Sequence, residues 1–241
     1  MKAKERHHLK QNEFAVTTAR VLDTLSQHKR RVQIILLAVL AVVAVSAAVV
    51  FWRGREADRA GEQLGIALAM LDATIAPAPT IPGAKQAPGT FPTERARAEA
   101  ALAAFQRVAT EFSSTEAGLA ARYHAAGELL SLGRASEAAQ AFQEVVAEAG
   151  ASSIYKPMAR LGLAEAKAAA GQHDEAIKAL TDLSAERDSA LPVDGVLMQL
   201  ARVCLKAGKP DDARAAFRRV VDEFPESVFA ADAQQQLTGL N

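Results

Sequence analysis

The chain has 241 residues, 28 of them basic and 28 acidic, so its formal net charge is zero. Half of the residues are hydrophobic, aromatics make up only 5%, and Cys204 is the single cysteine. This composition excludes a disulfide framework, gives no basic patch of the kind nucleic-acid binders carry, and suits a helical core built from small side chains.

The charge balance hides a split. Residues 1–31 hold eight cations (Lys2, Lys4, Arg6, Lys10, Arg20, Lys29, Arg30, Arg31) against three acids (Glu5, Glu13, Asp23), whereas the remainder holds 20 basic against 25 acidic residues. Within the basic stretch Phe14, Thr18, Val21 and Leu25 fall at helical steps. Two readings stay open for it: an amphipathic segment on an inner leaflet or a cytosolic partner, or a weakly structured tail. His7 and His8 are adjacent, so on a helix they point to different faces and make a poor metal pair.

Residues 32–52 read VQIILLAVLAVVAVSAAVVFW, 21 residues in which only Gln33 and Ser46 are polar. As a helix the run covers roughly 31 Å, close to the hydrocarbon thickness of a bilayer, and in lipid a lone segment satisfies its backbone only as a helix. The cation excess before the run, against Arg53, Arg55 and Arg59 interleaved with Glu56, Asp58 and Glu62 after it, predicts a cytoplasmic N-terminus. Phe51 and Trp52 then fall at the far headgroup layer. Ala44-Val45-Ser46 resembles a small-x-small cleavage site, but the apolar run continues past it through Val49, Val50 and Phe51, which predicts an uncleaved signal anchor. No cysteine stands directly after the run to carry a lipid.

Residues 53–75 form the next segment. Leu64, Leu68, Leu71 and Ile75 repeat at steps of four, three and four, which predicts a juxtamembrane helix over 56–75, continuous with the span or bent near Gly54. Residues 76–93, APAPTIPGAKQAPGTFPT, contain five prolines and cannot be a helix; they form a loop or arm between two helices.

From residue 94 the chain repeats itself. Ala101-x-x-x-Phe105, Ala138-x-x-x-Phe142, Ala176-x-x-x-Leu180 and Ala213-x-x-x-Phe217 place their alanines 37, 38 and 37 residues apart. Gly133, Gly171 and Gly208 each stand five residues before the last three alanines, and Ala126, Ala164 and Ala201 stand seven residues before those glycines. The unit is helix, glycine turn, helix, with the glycine as a left-handed cap that ends the first helix. Residues 227–237 predict a last helix that caps the array with a polar face outward.

GQHDEAIKAL at 171–180 and GKPDDARAAFRRVVDEFPES at 208–227 resemble the second helix of tetratricopeptide repeats. The family's small residue, glycine, alanine, aromatic and proline map onto Ala201, Gly208, Ala213, Phe217 and Pro225. The resemblance covers 94–241 well and 56–75 loosely. It departs in two ways: Arg122, Arg160 and Leu197 replace the aromatic at the start of the first helix, and the period is 37–38 rather than 34. Together with the apolar run at 32–52 it implies an all-α fold, one N-terminal transmembrane helix followed by an array of about three full repeats plus flanking helices.

The candidates for chemistry read as structure. Glu137, Asp174-Glu175 and Asp211-Asp212 recur in the first turn of each second helix, where acids suit the helix dipole. Ser113-Ser114-Thr115, followed by Glu116, reads as a helix N-cap rather than a nucleophile. His124 and His173 lie in different repeats without a ligand cluster, and neither a nucleophile elbow, a zinc-protease helix nor a phosphate loop occurs. Cys204 sits on the periodic face of its helix and reads as a small core hydrophobe. No catalytic residue, metal site, cofactor, nucleic-acid partner or small-molecule substrate is therefore expected.

The resemblance implies that the first helices line a concave groove. Counting from the glycines, its positions are Tyr123, Met158, Leu161, Glu165, Met198 and Arg202, which belong either to a groove or to the core within each repeat. Two methionines suit degenerate peptide binding. The lysine and asparagine set that clamps a terminal carboxylate in some cytosolic members is missing. The order of parts, a basic cytosolic tail, one span and an outer repeat domain, is similar to the ancillary subunit of the bacterial SecYEG translocon. That likeness implies an inner-membrane protein with a periplasmic domain. It would bind exported or unfolded chains beside the translocon and periplasmic chaperones, anchored in the bilayer through 32–52. The ending at 224–233, FPES-x-x-A-x-x-A, also resembles periplasmic adaptors of envelope assembly or cell division, which is the second reading.

Overall fold

The apolar run is the middle of one long helix, α1 (Lys29–Ala69), in the computed structural model, which describes residues 29–78, 85–186 and 190–240. The expectations for Phe14, Thr18, Val21, Leu25 and the His7-His8 pair lie outside the described residues. Among those described, α1 is the one helix long and apolar enough to cross a membrane, and none of its most apolar stretch is buried by the rest of the protein. Ile35, Leu37 and Val42 are each more than 60% exposed. Water would not tolerate such a surface at that length, so a membrane anchor or an export signal is its natural use. Arg55 lies over the Phe51 ring at 5.1 Å from its centroid.

The chain divides into two compact units, Met1–Arg55 and Glu56–Asn241. In the second unit α1 ends at Ala69, not at Ile75 as its leucine spacing predicts. Thr74 and Ile75 form β1 and pair in parallel with β2 (Thr90–Phe91). The Gln86 amide reinforces that clasp, with Nε2 donating to the Ala76 carbonyl and the Thr90 hydroxyl at 2.9 Å each. Helical propensity toward Leu71 loses to this pairing of the two ends of the proline-rich arm.

Eight helices follow among the described residues: α2 (Glu94–Glu111), α3 (Glu116–Ser131), α4 (Ala135–Glu148), α5 (Tyr155–Ala169), α6 (His173–Ala185), α7 (Val193–Lys206), α8 (Pro210–Glu223) and α9 (Ala230–Gly239). Each packs against its sequence neighbour, and α4, α6 and α8 are the second helices of three successive repeats. Thr93 caps α2 by accepting from the Ala96 amide, and Thr115 caps α3 by accepting from the Gly118 amide at 3.0 Å. Gly133, Gly171 and Gly208 take φ of 77°, 82° and 71°, the left-handed turn expected after each first helix. The amide one residue after each glycine reaches back to Leu129, Lys167 and Cys204 carbonyls at 2.9 Å, closing the Schellman cap.

The repeated alanines explain the packing. Ala101, Ala138, Ala176 and Ala213 are completely buried, as are Ala126, Ala164 and Ala201 of the first helices. Phe105, Phe142, Leu180 and Phe217, four residues on, fill the space between neighbouring units. Ala60 and Ala67 of α1 join Ala101 and Phe105 in a first core cluster that runs to Ala159 and Ala166; a second cluster holds Ala164, Leu180, Met198, Phe217 and Ala233. Cys204 is buried in the second cluster, and burial raises its thiol pKa, so it behaves as a core side chain.

The departures from the repeat consensus also have a structural use. Arg122 pairs with Glu148, and Arg160 pairs with Glu186 at 2.6 Å. Each arginine thus ties the first helix of a repeat to the C-terminal end of its second helix. In the third repeat the position is Leu197, fully buried, and Glu223 turns instead to Arg219 at 2.7 Å.

Candidate functional site

Met158, Leu161, Gly162 and Glu165 stand at i, i+3, i+4 and i+7 on α5, one face of that helix. Tyr123, Gly127, Leu130 and Ser131 stand at i, i+4, i+7 and i+8 on α3. The two faces and Leu191 enclose a cleft of about 460 Å³, with Phe142 of α4 at its floor. It opens where the two core clusters meet.

Glycine makes this space. A Cβ on Gly162 would stand 2.5 Å from the Phe142 ring tip, so the ring occupies the volume a side chain would need. At the equivalent position one repeat earlier His124 lies stacked on Phe105, centroids 5.2 Å apart. A Cβ on Gly127 would meet nothing within 4 Å, so here the missing side chain leaves an opening instead.

The lining is apolar with few polar groups. Tyr123 packs edge-on to Phe142 at 5.7 Å and against Tyr155 at 5.6 Å. Burial, and then the nearby Glu165 carboxylate, raise the pKa of its hydroxyl, which stays protonated and can donate. Burial also raises the Glu165 carboxyl above the ordinary range, opposed by a hydrogen bond in which Gln199 Nε2 donates to Oε1 at 2.8 Å. Such a site can hold an apolar side chain and offer one donor and one acceptor to the backbone or neighbour of that residue. It has no nucleophile with a base. Among the described residues no group of three or more His, Cys, Asp or Glu is placed to hold a metal ion.

The structure brings together four of the six groove positions, Tyr123, Met158, Leu161 and Glu165. Met198 is 1% exposed and belongs to the second core cluster with Val196, Phe217 and Ala233. It is a core residue, not a groove residue: α9 and α8 supply the neighbours that close over it. Arg202 is exposed outside the cleft and pairs with Asp232 of α9 at 3.3 Å. Counting from the glycines did not find Gly127, Gly162, Leu130, Ser131, Phe142 or Leu191. The signal for the first two was available, since glycine inside an otherwise strong helix pattern marks a packing or functional position.

A family model described as a tetratricopeptide repeat-like domain matches residues 28–241. Two solved structures of nearly identical TPR-like repeats from Podosopora anserina, described as kinesin light chain and one of them a point variant, resemble the chain. Their TM-scores are 0.51 and 0.52 at 20% identity, with 60% of this chain and 77% of each of those chains covered. At that identity the likeness is one of fold. No curated protein matches the chain.

Proposed function

The chain belongs to the tetratricopeptide repeat-like domain family, and from that premise we propose that it is a membrane-anchored, non-catalytic protein-binding scaffold whose cleft receives an apolar segment of a partner chain. Repeats of this fold generally mediate protein–protein interaction, and no enzymatic family is indicated. The observation that carries the reading is the 460 Å³ cleft, apolar apart from Ser131, Glu165 and the Tyr123 hydroxyl, set on the first helices. The apolar stretch of α1 serves as an uncleaved anchor, with the cation-rich residues before it in the cytoplasm and the repeats on the other side. The partners are then exported or unfolded chains, met beside a SecYEG-type translocon together with periplasmic chaperones. A folded partner is favoured by one other feature: Ile154 and Val228 stand 61% and 88% exposed before α5 and near the end of the array, outside the cleft. Those side chains are ones an envelope-assembly adaptor would use.

A photo-crosslinking amino acid placed at Met158, and separately at Val228, in the full chain in cells separates the two. Adducts with translocon subunits and newly exported chains through Met158 support the scaffold for exported chains. A single folded envelope protein captured through Val228, with Met158 silent, would retire it in favour of the adaptor.

A further inference from the structure

Glu165 is the one charged side chain in the cleft lining. It has no countercharge: among the described residues no lysine or arginine lies within ion-pair distance of it, although nine ion pairs occur elsewhere. The other charges of its own helix cannot help. Lys156, Arg160 and Lys167 lie nine, five and two residues away, all near the opposite face of α5. Arg160 and Lys167 are engaged by Glu186 and Glu175. The same position is Gly127 one repeat earlier and Arg202, paired with Asp232, one repeat later. Among the described residues only the Gln199 amide reaches the carboxylate, and it uses Oε1 alone.

A half-buried carboxylate without a cation is an expensive residue in an apolar cleft unless a ligand supplies the partner. Burial holds its pKa above the usual range, which is the mark of a charge waiting for compensation. The wider field agrees in sign, because the unit Glu56–Asn241 has 18 basic against 25 acidic residues. We propose that the cleft selects segments in which a bulky apolar side chain is flanked by a lysine or arginine, the apolar group seated on Phe142 and Gly162 and the cation paired with Glu165. This inference rests on the reading of the cleft as a segment-binding surface.

The probe is a set of three fluorescent host peptides of glycine and serine with a central Leu-Phe pair, flanked by lysine, glutamine or glutamate. Binding is read by anisotropy to the full chain in zwitterionic nanodiscs, with empty nanodiscs subtracted. The lysine peptide is expected to bind about tenfold tighter than the glutamine peptide, the usual worth of a charge-assisted contact, and the glutamate peptide weakest. Glu165→Gln keeps an acceptor for Gln199, so the fold holds. It is expected to erase the lysine preference, bringing the lysine and glutamine peptides to equal affinity. Gly127→Leu, built into open space, is expected to weaken all three. Equal binding of the three peptides to the wild type, or a lysine preference that survives Glu165→Gln, overturns the charge selection and leaves segment binding standing. No binding by any peptide overturns both.

Discussion

Two glycines that line the same cleft should respond to the same substitution with opposite signs. Replacing glycine by alanine inside a helix gains about 1 kcal/mol of propensity. At Gly127 nothing opposes that gain, because a new Cβ meets no atom within 4 Å. At Gly162 the Cβ would stand 2.5, 2.6 and 2.9 Å from three atoms of the Phe142 ring. Phe142 is only 3% exposed and packs edge-on against Tyr123, so the ring cannot swing away freely. Overpacking of this kind costs about 1–3 kcal/mol, which equals or exceeds the propensity gain. Gly127→Ala should therefore raise stability by up to about 1 kcal/mol, and Gly162→Ala should leave it unchanged or lower it by up to about 2 kcal/mol. For a unit of this size, 1 kcal/mol corresponds to about 2–4 °C in the thermal midpoint. The assay is thermal unfolding of the Glu56–Asn241 unit followed by circular dichroism. Phe142→Leu shortens the side chain that blocks the site, so in that background Gly162→Ala should lose its penalty, a coupling that a double-mutant cycle reads directly. If Gly162→Ala is as stable as Gly127→Ala in the wild-type background, the close approach of ring and helix is not what shapes the cleft floor.

Three further outcomes are expected. Ala213 is completely buried where α8 meets its neighbours, so Ala213→Leu should cost on the order of 1–3 kcal/mol, and an unchanged midpoint would break the repeat register. His124, half-buried and stacked on Phe105, has its pKa lowered by burial from an ordinary 6.5, so its contribution to stability is present above that value and is lost as pH falls through the folded value. Between pH 7.5 and 5 the wild type should lose more of its thermal midpoint than His124→Phe does; parallel losses would show that the ring is not desolvated. A periplasm-active reporter fused after Asn241 should be active, and a cytoplasmic reporter silent; the reverse would end every role proposed beyond the membrane.

The parts of the fold written locally were legible in the sequence. The left-handed turns at Gly133, Gly171 and Gly208 need a residue without a Cβ, and only glycine supplies it cheaply, so spacing alone located the helix ends. Thr115 announces its cap through its own hydroxyl, and the buried alanines through strict periodicity. What depended on partners distant in sequence was not legible. The end of α1 at Ala69 is decided by β2, which lies at the far end of the proline-rich arm. The arginines at 122 and 160 look like losses of an aromatic until Glu148 and Glu186 come into reach. The groove positions followed from the register, but their exposure is set by neighbours in other repeats.

That dependence accounts for the placing of the cleft. Tyr123, Leu161 and Met198 occupy one position in three successive repeats, yet the first two line the cleft and the third is core. One turn further along each helix stands Gly127, Glu165 or Arg202. The preceding second helix presents Phe105 against His124, but Phe142 against Gly162. Beside Tyr123 the side chain one turn on is missing altogether. Beside Leu161 it is a short acid on the same face of α5. At Met198 the arginine is drawn outward to Asp232 of α9, and Ala233 of that helix closes over the core below. Between α3 and α5 the apolar surface stays open because Gly127 withholds a side chain there, while Gly162 lets the Phe142 ring form the floor. Glu165 stands on this open face, opposite the cations of its own helix, of which Arg160 and Lys167 pair with Glu186 and Glu175 elsewhere. The open space at Gly127 and the apolar lining it exposes therefore have one structural origin, and filling Gly127 should remove both from the surface together.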